Sequence, residues 1–175
     1  MPRTLLLPLF LLMLLNWPCG QLKAQQNDST SRTRYIKTAT GYLMVLREGD
    51  NVIHAIENLA KQEKIPSANF TGIGFAEQAT FGFYDFKQKR FNPKTLSKVE
   101  MGSLTGSVGW DGEKPSIHAH GIATDDRFNA YGGHLLSLKV GTGSMEIYIT
   151  VNSERLERKV EQPLNANVLQ LPAIK

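Results

Sequence analysis

Three histidines stand close together in this chain: His118 and His120 within Ser116-Ile117-His118-Ala119-His120-Gly121-Ile122, and His134 directly after Gly132-Gly133. On an extended strand, side chains at i and i+2 leave the same face, roughly 6.5–7 Å apart. The His-x-His pair can therefore close on one metal ion. A third imidazole arriving from the glycine pair would give three nitrogen ligands with a fourth position open, as in catalytic zinc sites. The two glycines admit backbone angles that a β-carbon forbids. Carboxylates, backbone carbonyls or water also satisfy imidazole nitrogens, and His-x-His alone does not choose among them. Glu100, in Lys98-Val99-Glu100-Met101-Gly102, is the candidate carboxylate. It would serve as general base, ligand or acceptor for an imidazole N–H; a salt bridge at the rim is the plainer role. Tyr131 is a candidate hydrogen-bond donor to the site or a packing residue. Asp125 and Asp126 read as turn formers, and His54 as an ordinary helix histidine.

Other chemistries find no support. No serine sits in a G-x-S-x-G elbow. Gly72-x-Gly74 lacks the rest of a dinucleotide fingerprint, and there is no P-loop. The formal charge of +4 includes Arg3 and Lys23; without them it is 4 − 2 = +2, too mild to demand a nucleic-acid partner. Lys87-Gln88-Lys89-Arg90 reads as a solvated hairpin tip. Phe70, Phe75, Phe81 and Phe83 are able to stack on bases, but on strands beside glycines they fit a core or a subunit interface better.

Residues 1–24 have the pattern of a secretory signal peptide. Arg3 precedes an apolar run from Leu5 to Leu15, and Asn16, Trp17, Pro18 and Gly20 break it. The run is shorter than the ~20 residues of a membrane-spanning helix, and cleavage after Ala24 fits the small-residue rule. Cys19, the only cysteine, raises a lipoprotein alternative, against which Asn16-Trp17-Pro18 argue. Cleavage leaves 175 − 24 = 151 residues, without cysteine or membrane span. The expectation is an exported protein, periplasmic or secreted, whose metal ligands are imidazoles and carboxylates. Residues 25–33 are a polar leader, 34–152 one domain, and 153–175 a tail.

The elements that must position the histidines follow from periodicity. Tyr42–Leu46 is a strand. Asp50 is the expected N-cap of an amphipathic helix over Asn51–Lys64, stopped by Pro66. Phe70–Phe75 and Ala79–Tyr84 are expected as two strands joined near Glu77-Gln78. Lys98–Trp110, Ser116–Ala123, His134–Val140 and Ser144–Val151 complete the set, with a turn at Thr124–Arg127. One helix among many strands means α+β with a mainly antiparallel sheet.

Gly49-Asp50 before the helix, Thr71-Gly72-Ile73-Gly74, Phe83-Tyr84-Asp85, Glu100-x-x-Ser103-Leu104-x-Gly106, His118-x-His120 and Tyr131-Gly132-Gly133-His134-Leu135 occur in that order. Together they resemble the plant-and-prokaryote-conserved (PPC) domain family, found in plants with AT-hook segments in DNA-binding proteins. The resemblance implies an antiparallel sheet carrying one main helix, and a homotrimer. It also implies that His118, His120 and His134 are ligands of a divalent metal, zinc by preference, near a subunit interface. A small-molecule ligand would then meet the metal. DNA is the partner the family label suggests, but this chain has no Arg-Gly-Arg-Pro hook, and export would separate it from a chromosome. A non-catalytic structural trimer is the third alternative.

Overall fold

From Ser67 onward apolar and polar residues alternate over long stretches, which commits the backbone to strands with one covered and one solvated face. The computed structural model describes residues 33–171. The expected signal peptide at 1–24, the leader up to Arg32, and residues 172–175 lie outside the described residues. The elements are β1 (Tyr35–Lys37), β2 (Gly41–Arg47), α1 (Val52–Gln62), β3 (Ser67–Asp85), β4 (Arg90–Asp111), β5 (Lys114–Thr124), β6 (Ala130–Asn152), β7 (Arg158–Glu161) and β8 (Ala166–Leu169). The first six strands form one antiparallel sheet in the order β1-β2-β6-β3-β4-β5. β5 also pairs with β6, so β6, β3, β4 and β5 close into a ring of pairings. The expected α+β class with a mainly antiparallel sheet and one principal helix is the observed one.

The strands are fewer and longer than expected. The segments expected as 70–75 and 79–84 are one strand, β3, which passes straight through Glu77-Gln78 and slips register around Gly72, Gly74 and Ala76. Gly74 has φ +148, and a β-carbon there would collide with the Ser144 carbonyl. Glycine therefore bends this strand against its neighbour instead of ending it. In the same way 134–140 and 144–151 are halves of β6, and Lys98–Trp110 is the later part of β4. The tail, with no expected elements, folds as the β7–β8 hairpin. It is tied to the sheet where Leu156 O accepts from Trp110 N (2.9 Å) and Glu154 O from Ser67 Oγ (2.7 Å).

The helix starts one residue later than expected. Asn51 is the N-cap, its Oδ1 accepting from His54 N at 3.0 Å, while Asp50 turns back to accept from Arg47 N at 2.8 Å. Val52, Ile56, Leu59 and Ala60 form its buried face. They join Phe70, Met101, Leu104, Leu138, Met145 and Ile147 in one core. On β5, Ala119, Gly121 and Ala123 face this core, and His118, His120 and Ile122 point outward, as the alternation requires. Ile147 is fully buried, so Ile147→Ala should cost about 2–5 kcal/mol of stability. Urea denaturation is expected to show a lower midpoint at unchanged slope; a loss below about 1 kcal/mol would place this side chain outside the core.

Candidate metal centre

Two strands bring the histidines together. His118 and His120 project from β5, and His134 on β6 sits directly across from His120 in the ladder. Neighbouring Gly132 faces Ile122, and a β-carbon on it would lie 2.7 Å from the Gly121 carbonyl. Gly133 has φ +149, a conformation natural only to glycine. The glycine pair thus lets β6 lie close against β5 just where His134 must enter. On the other side of His134 stands Gly82 of β3. Its missing side chain leaves room for Phe91, which stacks on the His134 ring at 4.6 Å between centroids and 16° between planes.

The three ring centroids are 5.1–5.2 Å apart, and one ligand nitrogen from each lies within 4.8 Å of the others. Three nitrogens on one tetrahedral zinc are about 3.3 Å apart at the usual bond length, so small ring rotations suffice to close on an ion. Among the described residues the three rings find each other and Phe91, and make no side-chain hydrogen bond to the protein. Desolvation, followed by repulsion from His118 and His120, pushes the His134 imidazole down to about 4. Desolvation also lowers His118, with the Arg158 cation and His120 adding to it. Both are therefore held in the neutral form that binds metals.

A cleft of about 1040 Å³ opens at the rings. One wall is aromatic: Tyr84 meets Phe91 and Phe86 edge-on at 5.1 and 5.2 Å. The Tyr84 hydroxyl donates to Leu164 O at 2.9 Å, joining this wall to the tail. Tyr131 lines the cleft with its ring, under Lys94 Nζ at 4.6 Å, but its hydroxyl donates to Asp125 Oδ2 at 3.2 Å. Asp125 does form the β5–β6 turn, accepting from the backbone N–H of Arg127 and Asn129, each at 2.9 Å. His54 lies on the exposed helix surface beside Glu57.

The structure does not bring Glu100 to the histidines. It pairs with Thr124, four residues along β5 from His120 and beyond the irregularity at Met101/Ser103, roughly 13 Å away at strand spacing. It is exposed and does not line the cleft. Arg158, in contrast, lines the cleft at 5% exposure. Its sequence context, Glu157-Arg158-Lys159 in a charged tail, carries no signal separating it from solvated neighbours.

The family model described as the Plants and Prokaryotes Conserved (PCC) domain matches residues 34–153. The chain belongs to the PCC domain family. Similar solved structures give the same frame to the PCC domain described above. A candidate DNA-binding protein of Ralstonia eutropha JMP134 is 60% identical, with a TM-score of 0.78 over 79% of this chain and 96% of that one. A plant- and prokaryote-conserved protein of Pyrococcus horikoshii is 26% identical, with a TM-score of 0.70 over 80% and 96%. A metal-containing protein of Archaeoglobus fulgidus is 26% identical, with a TM-score of 0.68 over 79% and 99%. No curated protein matches the chain.

In metal-free protein the His134 ring should titrate near pH 4, measured by imidazole nitrogen NMR; a midpoint near 6.5 would show a ring that is not desolvated. Folding lowers this pKa, so the unfolded chain binds the extra proton between about pH 4 and 6.5. The contribution of His134 is accordingly present above pH 6.5 and lost as pH falls toward 4.

Proposed function

We propose that this PCC-domain protein is exported, assembles as a homotrimer, and binds one divalent metal per chain, zinc by preference, through His118, His120 and His134. The observation that carries the reading is the convergence of three imidazoles within 4.8 Å. Three imidazole nitrogens, two of them on rings held neutral, with no thiolate and an open fourth side suit a borderline cation such as zinc. The metal-containing relative from Archaeoglobus supports it. Such an ion supplies Lewis acidity and a bound water of lowered pKa. The chain's own part is to hold the rings: Phe91 sets the plane of His134, and the aromatic wall keeps water from one side. No proton-accepting role within the protomer falls to Glu100, given its distance along the sheet. The metal's role is structural, or that of a ligand-binding or catalytic centre for a small molecule in the cleft.

The trimer is the family's implied assembly. Self-association is supported by an outward apolar patch in which Ile73, Phe75 and Tyr148 are each at least half exposed on the adjoining strands β3 and β6. The segment at 1–24 supports export by its charge and apolar pattern.

Protein purified without an affinity tag is expected to carry one metal per chain and to scatter light as three chains. His120→Ala should abolish uptake while leaving the fold intact by circular dichroism. A wild-type protein that stays metal-free after dialysis against zinc would overturn the reading.

The second reading is DNA binding, favoured by the description of the relative that is 60% identical. A phosphate-driven complex weakens steeply with salt. A gel shift on duplex DNA at 50 and 200 mM salt is expected to show no complex at either. A complex at 50 mM lost at 200 mM, together with recovery of the protein in the cytoplasmic fraction, would favour DNA over export.

A further inference from the structure

Arg158 poses a physical problem. A guanidinium cannot shed its charge, and burying it without an anion is costly. This one is 5% exposed. Nη2 donates to Ser107 Oγ at 2.7 Å, and Nε reaches Ser116 O only at 3.4 Å. Both partners are neutral, and among the described residues no carboxylate pairs with Arg158. Five N–H donors are thus met by one good acceptor and one distant one.

The guanidinium also lies beside the histidines. Ser107, which it grips, faces His118 across the β4–β5 ladder, and Arg158 is close enough to disfavour charge on that ring. The cleft that Arg158 lines also holds a second cation, Lys94, and among the described residues no aspartate or glutamate lines it. Its other walls are mostly apolar, with Phe83, Phe86, Phe91 and Ile117, and the neutral polar side chains of Asn92, Ser116, Asn165 and Asn167 add to them. A buried guanidinium, an apolar wall and a concave shape are complementary to one class of molecule.

We infer that the cleft binds a small organic acid whose carboxylate is anchored by Arg158 and whose apolar body lies on the aromatic wall beside the histidines. The ligand completes the neutral partner set of the buried guanidinium with the anion it lacks. The inference deepens the proposed metal centre and rests on it only for what the ligand's inner end meets; the carboxylate anchor itself needs no metal.

Isothermal titration of the full chain with benzoate, benzamide and inorganic phosphate tests this, in zinc-loaded and in metal-free protein, with metal content measured in parallel. Benzoate should saturate one site per chain, and benzamide and phosphate should bind at least tenfold more weakly. Arg158→Gln should lose at least tenfold in benzoate affinity while its zinc content matches wild type. Arg158→Lys keeps the charge but not the planar fork, and should fall between the two; it also serves as the folded variant should Arg158→Gln not fold. Equal benzoate affinity in wild type and either variant overturns the anchor. Phosphate or benzamide binding as tightly as benzoate overturns the organic-acid class. Failure of the metal reading is separate: zinc is then absent from every sample, while benzoate binding still depends on Arg158.

Discussion

The register of one hairpin governs this molecule's chemistry. β5 and β6 are joined so that His120 opposes His134 and Gly121 opposes Gly133. Side chains alternate with a period of two, so a slip of one residue would turn His118 and His120 into the core and expel Ala119, Gly121 and Ala123. Unpartnered imidazoles in an apolar core are strongly disfavoured, so every one-residue slip of β5 is excluded. Two local devices reinforce it. Asp125 fastens the turn by accepting from Arg127 and Asn129. Gly132 lets the strands close without a β-carbon striking the Gly121 carbonyl.

The same arrangement explains why His118 and His134 are held neutral. Desolvation leads for both, and repulsion from neighbouring imidazoles about 5 Å away adds to it. Phe91 contributes twice, by desolvating His134 and by holding its plane at 16° to its own. Phe91 is there because Gly82 has no side chain to exclude it. A glycine on β3, an aromatic on β4 and a histidine on β6 therefore form one mechanical unit, although they are far apart in sequence.

This division of labour also sets what was legible from sequence. The His-x-His face was legible because strand alternation is local and needs no knowledge of partners, and Gly132-Gly133 carried a second local signal. The α+β class followed from one strong helical period among alternating segments. Strand lengths were less legible: Glu77-Gln78 and the stretch between Val140 and Ser144 look like breaks, yet β3 and β6 run through them, and Gly74 and Gly141 are places where neighbouring backbones approach too closely for a β-carbon. That contact is visible only once the strands are paired. Glu100 had the right chemistry, but its placement depends on the irregularity at Met101/Ser103, which spacing does not reveal. Arg158 was hidden for the opposite reason. Its burial comes from the β7–β8 hairpin and from Ser107 and Ser116, over forty residues earlier in the chain.

Membership of the PCC family accounts for the frame and leaves the chemistry open, since a fold hosts a site without dictating it. The buried face of the sheet and helix α1 would be satisfied by many different outward-facing residues. The functional content lies in the outward positions of β4, β5 and β6 and in the tail that covers one end of them. In this chain those positions hold three imidazoles, two cations and a wall of aromatic rings, and among the described residues no carboxylate lines the cleft. A metal at the rings would add further positive charge to a space already short of anions. The electrostatic balance of the cleft would then come from what enters it, which ties the choice of ligand to the same residues that would hold the metal.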